Sequence, residues 1–369
     1  MKSKKIAIVY DWIDSWGGVE RVLLTLHEIY PEAVFYTSYY DEKKAGWAKD
    51  IPMKTSFIQK LPSFIKHNRV LSLPFYPFAF ETFNFSEFDT VISVSSSFAK
   101  GIVTKPTTFH LAYVLTPMRY VWIDSKLYLS QNPLFQLAIP YMKYLKTWDT
   151  VAARRPDKLV SISRTVQERC QRYYGLESDI IYPPFDIDYW KNLAKKKPAG
   201  LHDIQDFYLV VSRLEPYKKV DLVLEVFKKY PDKNLILVGE GRQKEKLMSN
   251  VASNTHFLSK VSDEELSYLY THAKALVMPQ EEDFGYVALE AQALGCPVIA
   301  YKKGGACETI EPRNGIFFDH QTVKSLSEAV ERFHTMSYNG KSVSVESSKW
   351  LEKFSKQRFV KAFKSLVVR

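Results

Sequence analysis

Two carboxylates with seven residues between them, Glu282 and Glu290, are the residues best suited to chemistry in this sequence. Carboxylates accept paired hydrogen bonds from vicinal hydroxyls, such as those of a hexose or a ribose. An acid near a helix start is also commonly a cap, and an acid on a helix is commonly solvated. Each acid alone is therefore compatible with a structural role. The choice between that role and sugar binding depends on the secondary structure around the pair.

The pattern around the two acids predicts a strand, a loop, a helix and a second strand. Residues 275–278 are an apolar run ended by Pro279, which is typical of a buried strand. Residues 287–294 predict a helix ended by Gly295 at the C′ position, and residues 297–300 predict the next strand. Glu282 then lies in a loop at the carboxyl end of a strand, where open α/β sheets bind ligands.

Arg213 and Lys218 occupy a second predicted loop of the same kind. They follow a predicted strand at 207–212 and precede a helix predicted from Val220 to about Lys229. The planar fork of an arginine and the point charge of a lysine could together bind a diphosphate. Solvated surface cations are the alternative interpretation.

The N-terminal half opens with the same pattern. A predicted strand at 6–10 leads through Gly17 and Gly18 into a helix predicted over 19–29. Glycines before a helix N-terminus allow close approach of a phosphate, although a Gly-Gly pair is also an ordinary tight turn. Two halves with one pattern predict an α/β protein with two Rossmann-like domains facing a central cleft.

The predicted boundary between the domains follows the stiff pair Pro183-Pro184. Residues 1–188 are assigned to the first domain and residues 189–349 to the second. Asp186 and Asp188 have the spacing of a metal-binding pair, but their place after the prolines favours a helix cap. The tail from 349 to 368 predicts one amphipathic helix.

Composition narrows the class of protein. The 369 residues carry a formal net charge of +10, which favours an anionic partner such as a nucleic acid, an anionic lipid or a phosphorylated ligand. The three cysteines form no metal-binding spacing and favour a reducing compartment. No apolar run is long enough for a membrane span, and the Gly-rich loops lack the dinucleotide fingerprint of an NAD enzyme.

The segment 57–85 interleaves basic and aromatic residues and has two interpretations of equal weight. Cations beside aromatic rings suit a peripheral membrane surface, and the same rings suit an ordinary core bent by prolines. A single-stranded nucleic-acid platform would use similar residues and ranks third.

The residues from Glu282 to Gly285, followed by Glu290, resemble the Glu-x7-Glu motif of retaining GT-B glycosyltransferases. That large family, group 1, includes bacterial mannosyltransferases. Residues 304–309 and the Arg213-x4-Lys218 spacing are similar to the same family. The resemblance implies that Glu290 binds the nucleotide ribose, that Glu282 reaches the donor sugar, and that Arg213 and Lys218 bind the donor phosphates.

Further parts of the chain extend the resemblance. The loop Gly17-Gly18-x-Glu20-Arg21 is similar to a family loop that borders donor phosphates and acceptor, and residues 116–120 are similar to a Thr-Pro-Met-Arg-Tyr stretch. Many relatives have a histidine before that threonine, whereas this chain has Leu115, and His110 lies five residues too early to replace it. A C-terminal helix, here about 350–369, is implied to pack back on the first, acceptor-side domain.

The resemblance implies a metal-independent retaining hexosyltransferase that needs no cofactor. The expected donor is GDP-mannose, and the expected acceptor is a glycan or lipid-linked glycan of a surface polysaccharide. The expected location is cytoplasmic, free or peripheral on the inner membrane face, with no nucleic-acid partner. A non-catalytic membrane-surface scaffold of the same fold and a basic nucleic-acid-binding protein are the alternatives.

The predicted site comprises three catalytic residues, Arg213, Lys218 and Glu282; nine donor-binding residues, Gly17, Gly18, Gly239, Lys260, Val261, Asp283, Phe284, Gly285 and Glu290; and two acceptor-side residues, Arg119 and Tyr120.

Overall fold

The computed structural model describes residues 4–125, 139–201, 204–336 and 349–367. These residues fall into two compact units. One unit comprises Met1–Pro184 together with Lys356–Arg369, and the other comprises Phe185–Ser355.

The first unit is built on a parallel sheet that has seven strands within the described residues. Its strand order is β3-β2-β1-β4-β5-β6-β7. Strands β2 and β3 lie on one side of β1 and strands β4 to β7 on the other, so the order reverses between β1 and β4. The loops after β1 and β4 therefore flank the topological switch point, where open α/β sheets form a crevice. The strands are β1 (Ile6–Tyr10), β2 (Val34–Thr37), β3 (Met53–Thr55), β4 (Thr90–Ser95), β5 (Phe109–Val114), β6 (Lys158–Ser161) and β7 (Asp179–Ile180).

Helices cover this sheet and hide its apolar strands. The α-helices span Val19–Ile29, Ser63–Lys66, Tyr76–Glu81, Arg119–Trp122, Ile139–Ala152, Arg164–Tyr174 and Lys356–Val367. Short 3-10 helices span Gly46–Ala48, Phe57–Lys60, Leu73–Phe75 and Ala99–Gly101. The helix predicted over 19–29 is confirmed.

The second unit repeats the architecture with a parallel sheet that has six strands within the described residues. Its order is β10-β9-β8-β11-β12-β13, so the switch point lies between β8 and β11. The strands are β8 (Phe207–Val211), β9 (Asn234–Val238), β10 (Thr255–Leu258), β11 (Ala275–Met278), β12 (Val298–Tyr301) and β13 (Gly315–Phe318). The prediction of an α/β protein with two Rossmann-like domains is confirmed.

The helices of the second unit include the two that the sequence predicts, over 220–229 and 287–294, with ends shifted by no more than two residues. The α-helices span Ile187–Asn192, Val220–Phe227, Lys244–Met248, Asp263–His272, Tyr286–Ala293, Ala306–Thr309 and Val323–Thr335, with 3-10 helices at Pro216–Lys218 and Glu352–Phe354. Each unit has its own apolar core between sheet and helices.

Local signals explain where two of these helices begin and end. The Asp186 carboxylate accepts a hydrogen bond from the Tyr189 N–H at 2.9 Å, so the predicted helix cap is confirmed. Gly295 has a φ of +79° at the C′ position. Its N–H bonds to Gln292 O at 3.1 Å, and the Cys296 N–H bonds to Ala291 O at 2.9 Å, which together form a Schellman motif.

The prediction of one continuous C-terminal helix is wrong. Ser355 is extended, with φ −61° and ψ 146°, and it separates the 3-10 turn Glu352–Phe354 from the helix Lys356–Val367. The apolar residues of the tail are therefore shared between units. Phe354 packs on Phe284 of the second unit, whereas Phe359 and Phe363 pack on Tyr113 of the first.

Candidate functional site

Lys218 and Glu282 form an ion pair across the switch point of the second sheet. Lys218 lies in the loop after β8 and Glu282 in the loop after β11. The Lys218 Nζ lies 2.6 Å from Glu282 Oε1, and the two side chains are 10% and 21% exposed. The Gln280 amide donates a second hydrogen bond to the same Oε1 at 2.8 Å. The pair thus joins a cation and a carboxylate at the edge where ligands of this fold bind.

The environment of Glu282 keeps its carboxyl group ionised. Burial raises the pKa of Glu282, but the charge and hydrogen bond of Lys218, together with the Gln280 amide, outweigh burial and hold the pKa below its ordinary value. Within the described residues, only Oε1 of Glu282 takes part in these contacts. Its Oε2 remains able to accept a hydroxyl of a ligand.

A pair of glycines holds the Glu282 loop in place. Gly304 has a φ of +70°, and a Cβ there would lie 2.3 Å from Glu282 O. A Cβ on Gly305 would lie 2.2 Å from Phe284 O, while its own N–H donates to Glu282 O at 2.7 Å. Only glycine permits this approach of the two loops, which explains the glycine pair in the sequence.

Arg213 joins the cluster through a tyrosine. Its Nη2 donates to the Tyr217 hydroxyl at 2.8 Å, and Lys218 Nζ lies 5.4 Å from the centroid of the same ring. Arg213 is exposed, and Lys218 is buried. The structure therefore brings the three predicted catalytic residues, Arg213, Lys218 and Glu282, into one cluster.

A close backbone approach and a backbone hydrogen bond also hold the loops after β8 and β9 together. Gly239 has a φ of +153°, and a Cβ there would lie 1.9 Å from Ser212 O. Leu214 N donates to Glu240 O at 2.8 Å. Gly239 thus fixes the path of the loop that carries Arg213. Lys260, which is exposed, and Val261, which is half-buried, lie in the loop after β10, apart from the side-chain contacts that Lys218 and Glu282 make with each other and with Gln280.

Glu290 lies on the helix Tyr286–Ala293 and is buried, with 4% of the residue exposed. Its Oε2 accepts a hydrogen bond from the Tyr270 hydroxyl at 2.9 Å. Tyr270 in turn packs edge-on against the buried Trp190, with ring centroids 6.0 Å apart. The ordinary interpretation of Glu290 as a solvated helix residue is therefore wrong. Its role toward a ribose stays a prediction.

Three predicted donor-binding residues lie between the two glutamates. Asp283 is half-buried, and Gly285 has a φ of +98° where the helix begins. The Phe284 side chain is buried against Tyr286 and Phe354, with centroids 5.1 and 5.7 Å away. Phe284 therefore anchors the loop by its ring.

In the first unit, Gly17 and Gly18 lead into the helix Val19–Ile29. The Gly17 N–H donates to Glu20 Oε2 at 2.6 Å. Burial raises the pKa of Glu20 to about 7, against hydrogen bonds from its own N–H and that of Gly17, and the charge of Asp14 raises it further. The proposed contact of this turn with donor phosphates stays a prediction.

The predicted acceptor-side residues follow β5 in the same unit. The guanidinium of Arg119 contacts Asp124 through Nε and Nη2, both at 2.9 Å. The Tyr120 hydroxyl lies 2.7 Å from Ser97 Oγ, in the loop after β4. His110 is buried beside Ser93, at 2.8 Å, and is not available to take the place of a sugar-binding histidine.

Sequence reasoning missed a buried polar network behind these residues. Lys100 and Asp149 form an ion pair at 2.5 Å with both side chains almost fully buried. The Trp122 Nε1–H and the Tyr174 hydroxyl each donate to Asp149 Oδ2 at 2.7 Å. These residues lie far apart in the sequence, and nothing in their local pattern pairs them.

Asp11, Gln280 and Tyr217 were also missed, and each had a local signal. Asp11 directly follows the buried strand β1, and its carboxylate accepts hydrogen bonds from Ser96 N, Phe98 N and Ala99 N, each at 2.7 Å. Gln280 follows β11 after Pro279. Tyr217 stands inside the Arg213-x4-Lys218 spacing.

In the described ranges, no group of three or more His, Cys, Asp or Glu side chains is placed to hold a metal ion. Of the helices in the same ranges, none combines the length and apolar content that a membrane crossing requires.

Comparisons with known proteins agree with this architecture. Residues 192–347 match the family model described as "Glycosyl transferases group 1". The chain is 30% identical over 195 residues to the GDP-mannose-dependent monoacylated alpha-(1-6)-phosphatidylinositol monomannoside mannosyltransferase of Corynebacterium glutamicum, covering 47% of this chain and 51% of that protein. It is 27% identical over 212 residues to the D-inositol 3-phosphate glycosyltransferase of Segniliparus rotundus, covering 50% and 47%. The chain thus spans about half the length of these curated relatives.

Solved structures match over nearly the whole chain. HepE of Anabaena in complex with UDP superposes with a TM-score of 0.72 at 16% identity, covering 99% of both chains. Sucrose-phosphate synthase of Thermosynechococcus elongatus gives a TM-score of 0.72 at 16% identity, covering 99% and 98%. At this identity the likeness shows the fold.

The fold and the polar cluster at its second switch point define a two-domain α/β protein of the GT-B type. Residues 192–347 match the group 1 glycosyltransferase family, and the relatives of the chain include a mannosyltransferase. The family prediction made from the Glu-x7-Glu motif is confirmed.

Proposed function

We propose that this protein is a retaining glycosyltransferase that moves mannose from GDP-mannose to a glycan or lipid-linked glycan. The observation that supports the proposal most is the Lys218–Glu282 ion pair at 2.6 Å, inside the group 1 domain and at the switch point of its sheet. A nucleotide sugar offers a diphosphate for the cation and hydroxyls for the carboxylate, so one ligand matches both members of the pair.

Charge development during transfer gives Lys218 and Arg213 their proposed roles. When the bond between the anomeric carbon and the diphosphate breaks, negative charge grows on the leaving phosphate oxygen. The Lys218 ammonium has N–H donors besides the one directed at Glu282, and the exposed Arg213 guanidinium adds a planar fork. Cations fixed before the reaction stabilise this charge without reorganisation, and they do the work that a metal does elsewhere.

Glu282 is proposed to position the donor sugar and not to attack it. Its Oε1 already accepts two hydrogen bonds, and the pair with Lys218 lowers its pKa and its basicity. Retention then follows from attack on the same face as the leaving group. The acceptor oxygen bonds to the anomeric carbon as the phosphate departs, and the acceptor proton passes to the departing phosphate oxygen. Trapping a covalent glycosyl-enzyme on any side chain would refute this route.

The choice of GDP-mannose has support from relatives and a clear rival. The mannosyltransferase of Corynebacterium glutamicum is GDP-mannose-dependent by name. HepE of Anabaena has been solved with UDP and with UDP-glucose, but its likeness to this chain is one of fold. A UDP-hexose is therefore the alternative donor. Competition between GDP compounds and UDP compounds for binding distinguishes the two donors.

Peripheral binding to an anionic membrane is proposed for the segment 57–78. Four apolar side chains there are exposed by 40–70%: Phe57, Phe64, Leu71 and Phe78. They share the segment with Lys60 and Lys66. Rings that enter the headgroup layer beside cations suit delivery of a lipid-linked acceptor.

The decisive experiment measures thermal unfolding of the wild type, Lys218→Met and Lys324→Met with GDP-mannose, GDP, UDP-glucose and UDP. Lys324 is an exposed lysine of the same unit and serves as the matched control. A ligand at 100 times its dissociation constant adds about 2.7 kcal/mol of stability. We expect stabilisation by GDP compounds in the wild type and in Lys324→Met, and little in Lys218→Met.

Two outcomes would overturn parts of the proposal. Stabilisation by UDP compounds alone would replace the donor. No stabilisation by any nucleotide, or equal stabilisation in all three proteins, would reject this donor site. Salt-sensitive stabilisation by an oligonucleotide alone would instead favour a nucleic-acid-binding protein. Nucleotide binding without hydrolysis or transfer would favour the non-catalytic scaffold.

A further inference from the structure

Trp16 is an exposed tryptophan in a loop where ligands of this fold bind. It follows β1 at the switch point of the first sheet and directly precedes Gly17 and Gly18. Its exposed fraction is 54%, although a large indole normally gains by burial. Trp148 and Trp190 of the same chain are 7% and 1% exposed. The solvent exposure of this indole at the ligand-binding edge of the sheet therefore calls for a functional explanation.

A second tryptophan fixes the position of Trp16. The ring of Trp47 meets Trp16 edge to face, with centroids 6.1 Å apart and planes at 79°. Trp47 Nε1–H donates to Ser15 O at 3.1 Å, which ties it to the backbone immediately before Trp16. The edge of one indole against the face of the other is a favourable aromatic geometry. Trp16 is therefore held by a specific partner.

The rest of the loop is ordered by Arg69. Its guanidinium lies 3.7 Å from the centroid of Trp12 and 2.5 Å from Asp14 Oδ2. The Tyr39 hydroxyl also donates to Asp14. The Arg69 and Asp14 side chains remain 37% and 19% exposed, so the loop presents polar groups as well as the indole. An apolar ring beside a few fixed polar groups is typical of a small-molecule site.

We propose that Trp16, held by Trp47, is the platform on which a hexose ring of the acceptor glycan stacks. This inference rests on the proposed function, because it assigns the acceptor of that transfer. A pyranose has one face made of C–H groups, which loses apolar surface to water when it covers an indole. Its hydroxyls point around the rim of the ring, where Asp14 accepts hydrogen bonds and Arg69 donates them.

The observations favour a sugar over a lipid bilayer as the ligand of Trp16. Insertion of Trp16 into a headgroup layer would carry the neighbouring Asp14 carboxylate, which is 19% exposed, toward anionic lipid, which repels it. The apolar side chains suited to a bilayer are concentrated in the segment 57–78, together with lysines. A bilayer is therefore kept as an outcome of the test.

The test is saturation-transfer NMR with irradiation of aromatic protons in the presence of GDP. The probes are methyl α-mannoside, methyl β-glucoside, methyl β-galactoside and α-1,6-mannobiose, which the method detects even at weak affinity. Wild type is compared with Trp16→Ala, Trp16→Phe and Tyr144→Ala. Tyr144 is a matched control, since it is an aromatic residue of the same unit and is 46% exposed.

We expect transfer to at least one sugar in the wild type and in Tyr144→Ala, partial transfer in Trp16→Phe, and a loss of about 2- to 12-fold in Trp16→Ala, the range for an aromatic contact of about 0.5–1.5 kcal/mol. No transfer to any sugar, or equal transfer in Trp16→Ala, overturns the inference. Loss of binding to phosphatidylglycerol vesicles in Trp16→Ala with unchanged sugar signals also overturns it, in favour of a membrane contact.

Failure of this inference is distinguishable from failure of the proposed function. Donor binding is read from Lys218 variants with nucleotide sugars, and acceptor binding from Trp16 variants with free sugars. A wild type that binds GDP-mannose and transfers its sugar, with an acceptor KM unchanged in Trp16→Ala, refutes the platform alone. A wild type that binds sugars at Trp16 but no nucleotide refutes the transferase alone.

Discussion

Replacing Lys218 by methionine tests the physical basis of the candidate site. The substitution keeps a long apolar side chain and removes the ammonium group that lies 2.6 Å from Glu282. Glu282 is then left with Gln280 as its hydrogen-bond donor among the contacts of this cluster. Its carboxylate would carry a largely buried charge without a counter-charge, so both stability and the pKa of Glu282 should change.

The size of the effect follows from burial. Removing one member of a buried pair costs roughly 3–5 kcal/mol, because the remaining charge is unpaired. Glu282 keeps 21% of its side chain exposed and keeps the Gln280 bond. We therefore expect a smaller loss, roughly 1–3 kcal/mol, in the free energy of unfolding at pH 7.

The sign of the pH dependence gives a second and stricter test. In the wild type the pKa of Glu282 is depressed, so its contribution to stability is present above the unfolded pKa and is lost as pH falls through the folded pKa. In Lys218→Met, Glu282 stays buried but loses the lysine charge and hydrogen bond that offset the effect of burial. The pKa of Glu282 should therefore rise. The variant should then lose stability as pH rises. The stability difference between the two proteins is expected to be larger at pH 7 than at pH 4.

Urea unfolding of a double-mutant cycle with Lys218→Met and Glu282→Gln measures the coupling. The control cycle uses Lys228 and Glu225, an ion pair of similar length at 2.7 Å whose side chains are 30% and 46% exposed. An exposed pair contributes roughly 0.2–1 kcal/mol. Equal coupling in the two cycles, or a stability difference that does not change between pH 4 and pH 7, would refute the reasoning.

Three further predictions concern stability and use the same urea assay. Burial lowers the pKa of His110 to about 3, so wild-type stability should be full above pH 6.5 and fall by roughly 1 kcal/mol per pH unit toward pH 3, whereas His110→Gln should flatten that slope. Burial raises the pKa of Glu20 to about 7, so its ionisation opposes folding increasingly between pH 4.5 and 7, and Glu20→Gln should gain about 3 kcal/mol at pH 8 relative to pH 4. An unchanged pH profile in either variant would contradict the corresponding assignment. Gly239→Ala should lose at least about 3 kcal/mol, because its Cβ would lie 1.9 Å from Ser212 O, whereas Gly46→Ala, with no atom within 4 Å, should change stability by less than about 0.5 kcal/mol.

Much of the fold was predictable because its signals are local. The run 275–278 and its proline fixed the strand β11, and Gly295 with Pro297 fixed the end of the helix before β12. Repetition of one strand, loop and helix pattern in both halves predicted two parallel sheets. The polar loops at strand ends then indicated that Lys218 and Glu282 would both lie at the ligand-binding edge of the sheet, while their contact was found only in the structure.

The state of the individual side chains was not predictable in the same way. Glu290 has the sequence context of a solvated helix residue, and its burial against Tyr270 depends on how two helices pack. The Lys100–Asp149 pair joins residues 49 positions apart, and only tertiary structure brings them together. The break of the tail at Ser355 also escaped the helical pattern, because the pattern continues across it while the chain passes from one unit to the other.

The two switch points show why the second unit carries the proposed reaction. In the first unit the carboxylate after the central strand, Asp11, accepts hydrogen bonds on both oxygens and is fully buried, so it serves to fasten the loop after β4. In the second unit the carboxylate after β11, Glu282, has both its contacts on one oxygen, and its lysine partner has further N–H donors. A fully bonded carboxylate stabilises a fold, whereas an ion pair with an open acceptor and open donors can bind a hydroxyl and a phosphate together. The same topology therefore holds a structural carboxylate in one unit and the carboxylate of the proposed donor site in the other.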